Sequence, residues 1–358
     1  MKKIVLTGGG SAGHVTPNLA LISQLKKEGW EIHYIGTEDG IEKSIISKVD
    51  VTYHSIHAGK LRRYLSLENI TDPFRVVKGM LEAFSIIKKL TPNVIFSKGG
   101  FVTVPVVLAG WMNRIPVIIH ESDMTPGLAN KLSSPFATAI CTNFPEAAKN
   151  LPKNKAFYTG TPIRRELLMG DFDKGLNITD FVKDKPVIMV MGGSLGSKNL
   201  NRIIREILPK LLEDFQVVHI CGKGNVDTSL KALKGYKQFE YVNEEQPHIF
   251  KIANVVVSRA GANSISEFLV LKLPNILIPL STKASRGDQI LNAKSFEKQG
   301  FSKMLIEEEI DGKKLYDNII EIYKNRKIYI DNMGKEKVPD GTTEIMKLIR
   351  KYEEQPSA

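Results

Sequence analysis

The fold that the sequence predicts is α/β, built as two doubly wound, parallel-sheet domains, and three observations carry the prediction. Short apolar runs alternate with amphipathic helical stretches along the 358 residues, a pattern that implies parallel strands joined by right-handed crossovers. A glycine-rich turn between an apolar strand and a helix occurs once in each half, at Val5 to His14 and at Val190 to Ser197. The halves also echo each other: Asn93 to Gly100 resembles Asn254 to Gly261, and each is followed by a helical stretch and a proline-led strand, at Ile115-Pro116-Val117 and Leu273-Pro274-Asn275. Three features recurring in the same order indicate a duplicated Rossmann-like architecture.

Taken in order, the apolar runs place strands at 3–7, 31–36, 51–56, 93–97, 116–119, 138–142 and 156–159 in the first half. In the second half they place strands at 186–191, 216–221, 238–242, 254–258 and 275–279. The intervening segments carry helical spacing, as in Leu19, Ile22 and Leu25 or Ile203, Ile207 and Leu211. Pro17 presets the start of the first helix. Gly160, Thr161 and Pro162 punctuate the chain and a charged, weakly periodic stretch follows, so the domains are drawn as 1–160 and 161–340. The tail, 341–358, reads as a last helix with Ile345, Leu348 and Ile349 on one face, expected to pack back on the first domain.

Composition narrows the class. With 42% hydrophobic and 25% charged residues, the chain has the usage of a globular protein. No segment reaches the ~18 apolar residues of a membrane span. Cys141 and Cys221 offer neither a disulfide framework nor a metal-ligand pair and read as buried core thiols in a reducing compartment. A formal charge of +11 suits anionic lipid or phosphorylated substrates. Aromatic residues are not interleaved with the basic ones, so nucleic acid is not expected as a partner.

Candidate chemistry lies at the carboxyl ends of strands, where α/β proteins place ligands. Gly8, Gly10 and Gly13 match the dinucleotide fingerprint, but the second strand ends Tyr34-Ile35-Gly36-Thr37 without the acidic residue that such a site needs. His14, at the mouth of this turn, either takes a proton from a hydroxyl as a neutral imidazole or bonds the neighbouring backbone. Ser258 to Glu267 ends a strand and opens a helix whose small residues leave amides available for phosphate; Glu267 either complements the helix dipole or accepts from ribose hydroxyls. His120-Glu121-Ser122-Asp123 reads as polar recognition of a sugar or peptide, in preference to a metal site. Lys60, Arg62 and Arg63 precede an apolar stripe of Phe74, Val77, Leu81 and Phe84, which is either ordinary core and surface or a face that docks on an anionic membrane.

Together these segments resemble the MurG family of N-acetylglucosaminyltransferases. The likeness runs through Gly8–His14, Gly36–Glu42, Ser97–Gly100, His120–Asp123 with Gly127–Lys131, Gly160–Arg164, Gly192–Ser194, Ser258–Glu267 and Asp288–Asn292 with Ala293. It implies a GT-B fold, two Rossmann-like domains facing a central cleft, and inverting transfer of GlcNAc from UDP-GlcNAc to the 4-hydroxyl of MurNAc in lipid I, giving lipid II. The work implied is peptidoglycan synthesis for cell shape and division. No metal or other cofactor is implied. The implied location is the cytoplasmic face of the bacterial membrane, as a peripheral protein beside other cell-wall synthesis proteins.

By position, the resemblance carries donor contacts to Arg164, Ser194, Val242, Ala262, Asn263, Ser264, Glu267 and Gln289. It also carries them to Ser11, Ala12 and Gly13, a turn that would meet the acceptor pyrophosphate or close on the donor. His14 becomes the leading base, with Glu121 as rival base or orienting partner. Gly10, Asp123 and Asn130, with Lys60, Arg62 and Arg63, fall to the acceptor and membrane side. Ser122, Asp123, Thr161 and Asp288 depart from the family's common residues.

Overall fold

A computed structural model describes residues 2–59, 68–149, 151–193, 196–282 and 285–353, and it describes side chains from residue 75 onward in the helix that begins at Glu68. The chain forms two compact units, Met1–Arg164 with Pro339–Ala358, and Arg165–Val338.

The first unit runs β1 (Lys3–Thr7), α1 (Thr16–Lys27), β2 (Glu31–Gly36), α2 (Ile41–Ile46), β3 (Thr52–Ser55), α3 (Glu68–Leu90), β4 (Val94–Ser97), α4 (Thr103–Met112), β5 (Val117–Glu121), α5 (Leu128–Ser133), β6 (Ala139–Thr142), α6 (Pro145–Lys149) and β7 (Ala156–Tyr158). The second runs α7 (Phe172–Thr179), β8 (Val187–Met191), α8 (Lys198–Asp214), β9 (Gln216–Ile220), β10 (Tyr236–Phe239), α9 (Gln246–Ile252), β11 (Ala253–Ser258), α10 (Ala262–Leu271), β12 (Asn275–Leu277), α11 (Asp288–Lys298), β13 (Ser302–Met304) and α12 (Gly312–Lys335). The closing helix α13 (Gly341–Glu353) belongs to the first unit.

Every strand pair is parallel, in the orders β3-β2-β1-β4-β5-β6-β7 and β10-β9-β8-β11-β12-β13. The first five strands of each sheet therefore share one topology, and the direction of winding reverses between β1 and β4 and between β8 and β11. Loops at such a reversal diverge and leave a crevice for ligand. Both glycine-rich turns and both echoed loops lie there.

Strand alternation distributes the cores. Ile4, Leu6, Tyr34 and Phe96 face α1 and α13, meeting Leu21, Leu25, Ile345, Met346 and Ile349. Val5, Ile35, Ile95 and Val117 face the other way, onto Ala83, Ile87, Val106 and Val107 of α3 and α4. With both faces covered, the strands read as continuous apolar runs. In the second unit Ile188, Val190, Val255 and Val257 pack on Ile203, Ile204 and Ile207 of α8 and on Leu315, Ile319 and Ile322 of α12. Each such side chain contributes about 1.5–3 kcal/mol by leaving water.

Three strands differ from expectation. β10 begins earlier, at Tyr236, which pairs with Val217 of β9; its ring is buried and its hydroxyl bonds His219 Nδ1 at 2.8 Å. β13 was not expected at all; it is a three-residue edge strand containing a lysine. β5 continues to Glu121, so His120 and Glu121 pair in register with Cys141 and Thr142.

Candidate functional site

In the first unit the glycine turn is clamped from below. Tyr34 donates its hydroxyl to the Gly8 carbonyl at 2.7 Å, and Asn18 donates to the Tyr34 oxygen at 3.2 Å. The buried Glu42 accepts from Gly10 N at 3.2 Å, from Thr37 N at 3.0 Å and from Thr37 Oγ1 at 2.6 Å. A Cβ on Gly9 would stand 2.6 Å from the Glu42 carboxyl carbon, so only glycine admits this carboxylate. Gly10 was expected on the acceptor side; its amide is engaged by Glu42. Ser11 and Gly13 are exposed, and Ala12 and His14 half-exposed, in the helical turn Ala12–His14 that precedes α1.

His14 faces the loop after β4. Gly99 and Gly100 both adopt positive φ, +97° and +94°, and a Cβ on Gly100 would stand 2.1 Å from the Gly9 carbonyl. Glycine here lets the two loops touch, with Gly9 N donating to Gly99 O at 3.2 Å. A Cβ on Gly99 would lie 3.6 Å from His14 Nδ1 and 3.5 Å from the Asn130 amide, so both side chains stand close to this turn.

The His120–Asp123 segment corrects the expectation of direct polar recognition at its first two residues. Because β5 is longer than expected, His120 and Glu121 are buried strand residues turned to holding loops. His120 Nε2 donates to the Gly160 carbonyl at 2.9 Å, and its Nδ1 accepts from Lys98 Nζ at 3.0 Å. Burial first, and the Lys98 charge second, keep this imidazole well below its usual pKa, so it is neutral. Glu121 accepts from Asp123 N at 2.9 Å, Gly127 N at 3.0 Å and Asn130 Nδ2 at 2.8 Å. A carboxylate with three donors on it is an organiser of the β5–α5 loop. Asp123 lies half-exposed on that loop and Asn130 is buried in α5.

In the second unit α10 opens after Gly261, which supplies no side-chain cap. The leading amides of a helix lack intrahelical partners and carry partial positive charge; Ala262, Asn263 and Ser264 form that turn. Glu267 follows on the same helix, half-buried. Gln289, on the first turn of α11, accepts from Leu280 N at 3.1 Å and so ties the loop after β12 to that helix. Val242 lies beyond the end of β10, in a loop. The turn after β8 has Gly193 at φ +86°, and Ser197 caps α8 by accepting from Leu200 N at 3.3 Å. Beneath it Arg259, buried, donates to Ser197 Oγ at 2.7 Å and to both Glu307 oxygens at 2.7 and 2.5 Å.

Four supporting residues were not singled out from sequence: Glu42, Lys98, Arg259 and Glu307. The first three sit inside quoted motifs, and Lys98 and Arg259 occupy the same place in the echo between the halves. Glu307, in a run of glutamates, carried no signal. Ser194, Lys60, Arg62 and Arg63 lie outside the described residues, as does the Phe74 side chain. Arg164 is half-exposed at the end of the first unit. Val77 and Leu81 of the α3 stripe are exposed, at 52% and 62%, while Phe84 packs on the core. Both cysteines are buried, and burial pushes the Cys141 thiol up to about 12. Among the described residues no group of three His, Cys, Asp or Glu is placed to hold a metal, and no helix is long and apolar enough to cross a membrane.

Comparison with known proteins agrees with this organisation. Residues 4–142 match the glycosyltransferase family 28 N-terminal domain, and residues 187–349 match the family 28 C-terminal domain. A UDP-N-acetylglucosamine–N-acetylmuramyl-(pentapeptide) pyrophosphoryl-undecaprenol N-acetylglucosamine transferase of Clostridium tetani is 58% identical over 98% of both chains. A protein of the same description from Clostridium botulinum is 56% identical over 98% of this chain and 99% of its own. A crystal structure of Acinetobacter baumannii MurG superposes with a TM-score of 0.76 at 24% identity, covering 98% of this chain and all of that one, and so shares the GT-B fold. The chain belongs to glycosyltransferase family 28 and, within it, to the MurG family.

Proposed function

We propose that this chain is the inverting transferase that moves GlcNAc from UDP-GlcNAc to the 4-hydroxyl of the MurNAc residue in lipid I, forming lipid II for peptidoglycan. The observation that carries the reading is the 58% identity, end to end, with a relative described by that transfer. The second segment, 161–340, binds the donor; segment 1–160, with helix α13 packed on it, binds the acceptor.

The donor chemistry rests on α10. As the bond from the anomeric carbon to the UDP oxygen breaks, negative charge accumulates on the departing diphosphate. Preorganised amides at Ala262, Asn263 and Ser264 stabilise that charge without reorganising. Ser194 joins them, Glu267 accepts from the ribose hydroxyls, and Arg164, Val242 and Gln289 complete the nucleotide site. Ser11, Ala12 and Gly13 meet the acceptor pyrophosphate or close on the donor, since Gly10 N is engaged by Glu42.

His14 is the base. It removes the proton of the 4-hydroxyl as that oxygen attacks the anomeric carbon from the face opposite UDP, and the configuration inverts. Glu121, its carboxylate engaged by three donors of the β5–α5 segment, orients the loop that carries Asp123 and is not the base. Asp123 and Asn130 face the acceptor.

Membrane contact fits the first unit. The helices α3, α4 and α5 pack in series and expose Val77, Leu81, Trp111, Met112, Leu128 and Leu132. With exposed Arg75, Lys78, Arg114 and Lys131 on the same elements or their ends, and with Lys60, Arg62 and Arg63 in sequence nearby, such a face suits an anionic bilayer. The test of the whole reading is sugar transfer from UDP-GlcNAc to a lipid I analogue; absence of product from active-concentration protein on a verified analogue would overturn it.

A further inference from the structure

The carboxyl ends of β4 and β11 present a repeated device. Ser97-Lys98 and Ser258-Arg259 occupy equivalent places in the two sheets, each beside the strand that leads into a glycine turn. Both cations are buried, Lys98 at 1% exposure and Arg259 at 8%. Arg259 is neutralised by the bidentate Glu307. Among the described residues Lys98 has no such arrangement: the groups within hydrogen-bond distance of its Nζ there are both neutral, His120 Nδ1 at 3.0 Å and Ser122 Oγ.

Burying an ammonium against neutral acceptors costs stability, so a lysine held here answers a requirement of another kind. The requirement is visible in what Lys98 joins. Through His120 it reaches the Gly160 carbonyl, shortly before the chain leaves the first unit. Through Ser122 it holds the loop bearing Asp123, which is also tied by the Glu121 carboxylate on Asp123 N and Gly127 N and by the Asn143 amide on Ser122 O. Lys98 is also covalently joined to Gly99, close to which stand His14 Nδ1 and the Asn130 amide.

Resting on the acceptor-site reading above, we infer that Lys98 is a positioning residue for sugar transfer, fixing the β5–α5 loop against the Gly99 turn so that the acceptor hydroxyl meets His14. It does not touch substrate. Burial lowers its pKa to about 8, opposed by the fields of Glu121, Asp123 and Cys141. The side chain thus remains a donor at neutral pH, and the nearby carboxylates are what sustain its charge.

The test is steady-state transfer with Lys98→Met, which keeps the stem and removes the donor, and with Ser122→Ala, which removes only the loop acceptor. Donor and acceptor analogue are varied separately. The expected result for Lys98→Met is an acceptor KM raised at least fivefold and kcat lowered about tenfold, the UDP-GlcNAc KM staying within twofold. Ser122→Ala moves the acceptor KM in the same direction by about two- to threefold. Equal shifts in both KM values, or wild-type acceptor kinetics in either variant, would overturn the inference; should Lys98→Met not fold, Ser122→Ala alone decides. If the wild-type protein transfers no GlcNAc, the acceptor-site reading itself fails, an outcome distinct from a wild-type-like variant.

Discussion

Replacing Glu42 by alanine withdraws an acceptor that three donors share, Gly10 N, Thr37 N and Thr37 Oγ1. Net hydrogen bonds to a charged group contribute about 1.5–3 kcal/mol each, and a donor left buried without a partner costs about 1–3 kcal/mol. The three do not add. Gly10 is exposed and its amide finds water, and the Thr37 hydroxyl can rotate toward another acceptor. Relief of the buried carboxylate's desolvation offsets part of the remainder. A loss of about 2–4 kcal/mol in the first unit is the expected balance, which for a unit of this size is roughly 4–16 °C in melting temperature. Glu42→Gln keeps the shape but turns an amide N–H toward one of the donors, so its cost is about 1–2 kcal/mol.

The functional consequence is separable from the stability one. His14 sits on the turn that Glu42 clamps, and a displacement of 1 Å at a reacting group can cost ~10²-fold in rate. At a temperature where each variant is folded, kcat should fall about 10- to 100-fold in Glu42→Ala and less in Glu42→Gln. Thermal unfolding and transfer kinetics on the same preparations measure both. A Glu42→Ala protein with the wild-type melting temperature and wild-type kcat would refute the view that this carboxylate shapes the turn.

The remaining predictions concern individual contacts. His14→Ala should retain UDP-GlcNAc affinity while kcat drops by ~10² or more, the scale of a lost general base; unchanged turnover removes His14 from that role. Glu267→Ala and Arg164→Ala should each weaken UDP-GlcNAc binding in calorimetry by roughly tenfold, as loss of a charged hydrogen bond implies, and unaltered affinity would remove them from the donor site. Charge reversal at Lys60, Arg62 and Arg63 should reduce cosedimentation with anionic vesicles and leave neutral vesicles unaffected, about 1 kcal/mol per basic residue near the surface being at stake. Equal pelleting on both kinds of vesicle would count against the membrane face.

Much of this was legible in the chain because parallel sheets covered on both faces write continuous apolar runs. Ile4 to Leu6 and Val94 to Phe96 could not be mistaken for loop. What failed to show was short or mixed. Ser302–Met304 is an edge strand of three residues with a lysine, too brief for periodicity to register. Tyr236 escaped because it joins β10 by pairing with Val217 of β9 and stands outside an apolar run. The strand end at His120 and Glu121 was missed for a related reason: polar side chains at a strand's carboxyl end look like ligand contacts, whereas here they brace loops.

The same distinction governs the site. The residues proposed to meet ligand stand in motifs, since glycine turns and helix starts have recognisable chemistry. The groups that hold those motifs in shape are buried charges, and their partners are distant in sequence. Glu42 reaches Gly10 across 32 positions and Arg259 reaches Glu307 across 48. No local pattern announces such pairs; only the echo of Ser97-Lys98 in Ser258-Arg259 hinted that a cation belonged below each crevice.

The most direct measurement is product formation by the wild-type protein with UDP-GlcNAc and a lipid I analogue, resolved by mass and by the anomeric configuration of the new bond. One GlcNAc added through a β-linkage to the MurNAc 4-hydroxyl, with UDP released in equal amount, is the result predicted here. Transfer to another hydroxyl, retention of the α configuration, or UDP release without a glycosylated acceptor would contradict it.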